Sequence, residues 1–270
     1  MAQHLVRAHA EQVALPGAVL SHTTAALSWG LPSPGIRQWD VATVRLSVPR
    51  PARHRAGDGL VFHRPARLPR HHLARDADGY LVTSLARTCV DLARDLELPG
   101  ALVLLDATAR QLCETMIPVP RRSDYANPRV AAAARASIRE AVDTCRATRL
   151  RSALELADPA RESPIESLTA AHLHLCGLPL PVFQPAIRTS RGTFYPDCLW
   201  PQQRLIGEAD GAVKYTDARA IVAEKEREQI LRDLGYDIVR WLGREILLEP
   251  WVVMERIERA LTRRAPGAVA

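Results

Sequence analysis

The chain has no apolar run long enough to span a membrane, and its opening stretch MAQHLVRAHAEQVALPG lacks the hydrophobic segment of a secretory signal. These absences set the expectation of a cytoplasmic protein with no membrane partner. Its five cysteines, Cys89, Cys113, Cys145, Cys176 and Cys198, include no C-x-x-C pair. Scattered in this way they exclude a zinc knuckle or a disulfide framework, and they read as reduced, small apolar residues. Between positions 45 and 75 acid is nearly missing. Asp58 stands alone among Arg45, Arg50, Arg53, Arg55, Arg64, Arg67, Arg70 and Arg75, with His54, His63, His71 and His72 interspersed.

What is present is a chain of 270 residues, 47% hydrophobic, enough for one large or two modest domains with cores of their own. The net charge is +6 and it is unevenly placed. Residues 1–162 carry 22 Lys or Arg against 16 Asp or Glu, whereas residues 163–270 carry 14 of each. An arginine-rich face attracts phosphate, so nucleic acid is the first partner to consider, with Arg53, Arg55, Arg64 and Arg67 as candidate phosphate contacts. A solvated surface would show the same composition.

Residues 1–17 fit a short helix or a loosely held arm. Ser21 or Thr23 caps a short helix that runs through Trp29 and stops at Gly30. Residues 43–48, 60–63 and 80–83 alternate like strands. Ser84 then caps a helix with Leu85, Cys89, Leu92 and Leu96 at helical spacing, and ALVLLDATARQL makes another. This is a small α+β unit, assigned to residues 1–117. A Pro-bounded linker follows, and Asn127-Pro128 starts an alanine-rich helix; residues 118–162 are read as a connector packing on both sides.

In residues 163–264, Ser163 opens a helix whose apolar stripe is Ile165, Leu168, Leu175 and Cys176. Glu166 has two readings: the acid of an S-x-x-E capping box, or an inward-turned carboxylate. The stretch FYPDCLWPQQRLIGEADGAVKY reads as a hairpin around Trp200-Pro201-Gln202-Gln203. Pairing Leu199 with Arg204 sets Asp197 opposite Ile206, and alternation puts Asp197, Glu208 and Asp210 on one face. Carboxylates held together repel unless a cation or shared protons neutralise them, and hard oxygen ligands suit Mg²⁺ or Mn²⁺. A polar hairpin face meeting water is the other reading. Residues 217–234 then form a helix with Ala220, Ala223, Ile230, Leu231 and Leu234 inward, Arg227 near the middle of that face and Lys225 pointing away. An inward Arg needs an anion, whether Glu224, a site carboxylate or a substrate phosphate. Residues 237–242 form a strand, giving a mixed sheet, and Pro250 opens a closing helix. Residues 265–270 are expected to be a disordered tail.

The segments SHTTAALSWGLP, VTSLARTCVDLAR and ALVLLDATAR resemble the C-terminal part of AbiEi-type antitoxins, the DNA-binding partners of type IV toxin-antitoxin systems. The segments SPIESL, YPDCLWPQQRLIGEADGAVKY and EKEREQILRDLGYDIVRW, with the closing helix, resemble the PD-(D/E)XK nuclease core and the very-short-patch-repair-like endonuclease domains of actinobacteria. The second resemblance implies an α/β restriction-endonuclease-like core, a mixed sheet flanked by helices, and a metal-dependent DNA endonuclease. Its context would be phage defence, DNA repair or toxin-antitoxin biology. It makes Glu166, Asp197 and Glu208 the acids of the site, with Asp197, Glu208 and Asp210 holding Mg²⁺ or Mn²⁺. Asp210 stands where the usual motif has lysine, and Lys214 is the candidate to replace it. Arg227 would help hold the DNA backbone. The alternative is a catalytically inactive DNA-binding or antitoxin-like regulator; a toxin or other protein partner and a homodimer are compatible with both.

Overall fold

The computed structural model describes residues 1–35, 38–48, 59–63, 68–210 and 218–263. The expected tail 265–270 lies outside them. The chain is mixed α/β and divides into two compact units, Met1–Glu162 and Ser163–Ala270. Among the described residues no helix is long and apolar enough to cross a membrane.

The first unit begins with α1 (Ala2–Ala14), β1 (Val19–Leu20), α2 (His22–Trp29), β2 (Val44–Ser47) and β3 (Leu60–His63). A single 3-10 turn, Arg70–His72, leads into β4 (Leu73–Arg75) and β5 (Leu81–Thr83). The strands form a sheet ordered β3-β2-β1-β5-β4, in which β1 pairs antiparallel with β2 and parallel with β5. One face of it buries Leu20, Val44, Leu46 and Val82 against Ala8 and Ala25 of the first two helices. Gly30, at φ +67°, ends α2 in the left-handed conformation that glycine adopts without a Cβ penalty.

Helices make up the remainder: α3 (Leu85–Ala93), α4 (Leu98–Met116), α5 (Arg122–Tyr125), α6 (Pro128–Thr144) and α7 (Leu150–Leu156). Ser84 and Asn127 cap α3 and α6 by accepting from the backbone N–H of Arg87 and Arg129, as their positions before each apolar pattern predict. Segment 118–162, expected as a connector, belongs to the first unit, because α6 packs on α3 and α4, and α7 packs on α4 and α6. Its last residues are stapled to α4. Asp106, 1% exposed, accepts from Arg161 Nη1 at 2.8 Å and from the Asp158 N–H at 2.8 Å, while Arg110 donates to the Pro159 carbonyl. A buried carboxylate is tolerated when it is paired and hydrogen-bonded in this way, so the chain is held to α4 up to the unit boundary.

The second unit runs α8 (Pro164–Leu175), β6 (Val182–Phe183), β7 (Ile187–Thr189), β8 (Gly192–Phe194), β9 (Cys198–Trp200), β10 (Leu205–Asp210), α9 (Ala218–Asp233), β11 (Asp237–Leu242), α10 (Gly243–Leu248) and α11 (Pro250–Arg263). Its main sheet is ordered β11-β10-β9-β6, with β10 and β11 parallel and the other pairs antiparallel, while β7 and β8 form a separate hairpin. The β10–α9–β11 crossover makes the sheet mixed, as expected from the sequence. On one face Leu199 and Ile206 pack with Leu231 of α9. Cys198 and Gly207 occupy the alternate positions and meet the Trp241 ring, and α10 and α11 pack on β11 and on α8.

Three local expectations change. Trp200 is not in the turn; it is a strand residue, 2% exposed, donating through its indole N–H to the Pro179 carbonyl at 2.7 Å. Burial of that large ring moves the turn one residue on, to Pro201–Arg204, and Leu199 pairs with Ile206 rather than Arg204. On α8, Leu175 and Cys176 are exposed, and the buried residues run from Glu166 to Ala171 and include Leu173. On α9, Leu231 is buried but Ala223 and Leu234 are exposed, and Ala220 is a residue whose side chain is not described.

Candidate active site

The site is built where β9, β10 and the end of β6 run side by side. Cys198 pairs with Gly207, so the next position outward sets Asp197 beside Glu208. The expected register was wrong by two residues. Because side chains alternate with period two, an even slip preserves the face, and Asp197 and Glu208 still point to the same side of the sheet. That is the side of Leu199 and Ile206, facing α9.

Asp197 accepts the Ala209 N–H through Oδ2 at 2.7 Å, which fixes its carboxylate against β10. Its Oδ1 takes a longer contact, 3.4 Å, from the side-chain amide of Gln184, and the same amide nitrogen reaches Glu166 Oε2 at 3.2 Å. Facing two carboxylates, the amide must present its NH₂ end. Gln184 also donates its backbone N–H to the Asp197 carbonyl at 3.0 Å and has φ +49°, a left-handed conformation unusual for a residue with a side chain. Gln184 thus ties α8 to the hairpin. The two readings of Glu166 merge: Ser163 Oγ accepts from the Glu166 N–H and donates to Glu166 Oε1 at 2.9 Å, while Oε2 faces Gln184. Glu166 is 4% exposed.

Glu208 is buried, and Arg227 Nη2 lies 3.2 Å from its Oε1. Among the described residues Arg227 is the charged partner of that oxygen, in an ion pair rather than a well-aligned hydrogen bond. Burial pushes the Glu208 carboxyl up to about 7 despite Arg227, and the charge of Asp197 adds to the rise. Asp197 is raised too, by burial first and then by Asp210, against the opposing Ala209 and Gln184 hydrogen bonds. Asp197, Glu166 and Glu208 all act on the Cys198 thiol, which burial pushes far above its usual range. The thiol itself lies on the opposite face of the sheet, beside Gly207.

Beyond Glu208 the charges alternate. Arg227 donates to both oxygens of Glu224 at 2.9 Å, Arg240 donates to Glu224 at 2.8 Å, and Arg240 pairs with Glu228 at 3.0 Å. Arg240 is the β11 residue paired with Glu208, so strand register and helix face meet in one network. Arg227 is inward as expected, and its anions are carboxylates of the chain itself. Lys225 is exposed.

Asp210 ends β10, half-buried and close enough to act on Asp197. Lys214, Arg53, Arg55, Arg64 and Arg67 lie outside the described residues. Among the described residues the acids do not bring three ligand atoms within 4.8 Å of one another. They converge as a pair, Asp197 with Glu208, and a bridged pair, Glu166 with Asp197. Sequence reasoning missed Gln184 and Arg240. Arg240 left a legible sign in the strand DIVRWL, an Arg on the face opposite Val239 and Trp241. Gln184 left none, since its role depends on two segments distant in the chain.

No family profile matches the chain, and no solved structure matches it. Two proteins of Mycobacterium tuberculosis do, the uncharacterized protein MT2308 of strain CDC 1551 / Oshkosh and the uncharacterized protein Rv2248 of strain ATCC 25618 / H37Rv. Each is 31% identical over 212 residues, spanning 76% of this chain and 69% of the relative.

Proposed function

Since the chain belongs to the family of the M. tuberculosis proteins MT2308 and Rv2248, whose names state no activity, its chemistry has to be argued from its own residues, and we propose a metal-dependent phosphodiesterase acting on DNA. The observation that carries this reading is the pair Asp197 and Glu208, neighbouring carboxylates on one face of the sheet whose pKa values are both raised by burial. Perturbed acids of this kind mark functional sites, and a cation between the two carboxylates would relieve their repulsion.

The donor set fits a hard divalent ion bound by two carboxylates, Asp197 and Glu208, with Asp210 at the strand end as a third oxygen source. Bound there, Mg²⁺ or Mn²⁺ would supply Lewis-acid polarisation of a phosphate oxygen and a water of lowered pKa. Gln184 keeps the Glu166 and Asp197 carboxylates oriented. Glu208 holds its proton near neutrality in the absence of a cation, which limits the repulsion from Asp197. Arg227, shared between Glu208 and Glu224, would offer its guanidinium to a phosphate approaching the pair. The order of α8, hairpin, α9 and β11 around a mixed sheet supports a restriction-endonuclease-like core, and the basic surplus of the first 162 residues supports DNA as the substrate.

A second reading, a DNA-binding regulator without catalysis, has two observations in its favour: Asp210 stands where a lysine is expected, and Arg227 already pairs with Glu208. Cleavage of supercoiled plasmid and of oligonucleotides with Mg²⁺ or Mn²⁺ separates the two. The native chain should nick DNA, and Asp197→Ala and Glu208→Ala should each reduce nicking about 100-fold or more. Equal nicking by all three proteins would overturn the site assignment; absence of nicking with retained, salt-sensitive DNA binding would favour the regulator.

A further inference from the structure

In the first unit, the described residues contain a group of His71, His72 and Glu140 with one ligand atom from each within 4.8 Å of the others. Pro69 leads into the 3-10 turn Arg70–His72, which presents two successive imidazoles toward α6. The rings meet edge to face, 4.7 Å between centroids at 78°. Each Nε2 takes a different oxygen of one carboxylate, His71 at 3.0 Å from Glu140 Oε1 and His72 at 2.7 Å from Oε2. The His71 side chain is 62% exposed and that of His72 only 2%, so the group has a wet side and a dry side.

Beside it lies a cavity of about 500 Å³. His71, His72 and Glu140 line it, together with the apolar side chains of Leu85, Leu112 and Ala136. Two hydrogen bonds to a carboxylate would account for the contacts alone. The same contacts gather three ligand atoms, from segments 68 residues apart, at the wall of a cavity. Imidazole and carboxylate donors in a two-to-one ratio suit Zn²⁺ and its first-row neighbours and discriminate against Mg²⁺ and Ca²⁺, which prefer all-oxygen sets. Two imidazoles and one carboxylate with a fourth position left for water or a small ligand is a recognised zinc arrangement.

We propose that His71, His72 and Glu140 form a binding site for a divalent transition metal of the Zn²⁺ class, with its open position toward the apolar cavity. The ion takes the place of the two imidazole protons now shared with Glu140. One contact must give way. Coordination through His72 Nε2 puts the ring proton on Nδ1, which faces Arg87 Nη1 at 3.4 Å, while Arg87 keeps its paired contacts to Asp91. This site is independent of the acids of β9 and β10.

The test uses the full chain, stripped with a chelator and titrated with Zn²⁺ by calorimetry and with Co²⁺ by visible absorption. One equivalent should bind, and Co²⁺ should give the intense ligand-field bands of a low-coordinate site with nitrogen donors. His71→Ala and Glu140→Gln should each weaken binding at least about tenfold, and Glu208→Gln should leave it unchanged. His71 is exposed, so its replacement should leave the fold intact, and far-UV melting of the metal-free variants checks that they fold. Failure of the native chain to bind, binding that both variants retain in full, or binding that Glu208→Gln abolishes would each overturn the proposal.

Discussion

Glu208 carries a cost that the fold accepts. Its carboxyl rises from an ordinary 4.5 to about 7 on folding, so between those values the folded chain holds a proton that the unfolded chain has released. Stability must therefore fall as pH rises through that window, with the full penalty above pH 7, by up to about 3 kcal/mol. Glu208→Gln removes the charge and keeps the shape. We expect it to flatten this fall and to stabilise the protein most at pH 8, while abolishing metal-dependent cleavage; urea denaturation at pH 5 and pH 8 measures the difference. A variant that keeps the native pH slope would show that burial of Glu208 is not its source. Gln184 sets a second test at the same scale. Gln184→Leu leaves Glu166 Oε2 and Asp197 Oδ1 without their common donor, which should cost about 2 kcal/mol of stability in the same denaturation assay. At this scale the sequence was legible where chemistry follows from residue type and spacing. Asp197 and Glu208 could be placed together because a two-residue period survives a two-residue error. Gln184 could not, because an isolated amide carries no pattern.

The hairpin formed by β9 and β10 is held in register by packing rather than by its turn. A Cβ added at Gly207 would sit 2.5 Å from Cys198 Sγ and 2.8 Å from the Trp241 ring, so the strand approaches its neighbours as closely as glycine allows. Gly207→Ala should cost about 3 kcal/mol, and because the strain lies one residue from Glu208 it should lower activity as well as the thermal midpoint. The positive φ of Arg204, at 50°, closes the turn, and its guanidinium lies 4.7 Å from the Tyr236 ring centroid and donates to the Leu234 and Gly235 carbonyls. These tertiary contacts explain why alternation located the strands but misplaced the turn. On α9 the same limit applies in another form: helical periodicity found Leu231 and Arg227, yet the face around Glu224, Arg227 and Glu228 is charged because Arg240 comes from a strand that periodicity cannot see. At the start of α8, Ser163→Ala removes both the cap and the hydroxyl donated to Glu166. About 1 kcal/mol should be lost, measurable as a lower urea midpoint.

Across the whole chain, the boundary at Glu162 and Ser163 coincides with a change in charge that could be read directly: basic surplus before it, balance after it. The membership of residues 118–162 could not be read, since an alanine-rich helix fits either neighbour until the buried Arg161–Asp106 pair is known. The two candidate metal sites fall in different units and use donors of different hardness. Zn²⁺ should therefore raise the melting temperature through His71, His72 and Glu140, and Mg²⁺ or Mn²⁺ through Asp197 and Glu208, each response surviving loss of the other site in thermal scans with single ions. The sulfur on the opposite face of β9 from the acids has a consequence of its own. Cys198 is fully buried with its proton held tightly, whereas Cys176, just past the end of α8, is exposed. Iodoacetamide should modify Cys176 promptly and reach Cys198 only when β9 peels away from its neighbours. The delay between the two adducts, followed by mass spectrometry, clocks how often the floor beneath Asp197 and Glu208 opens to solvent.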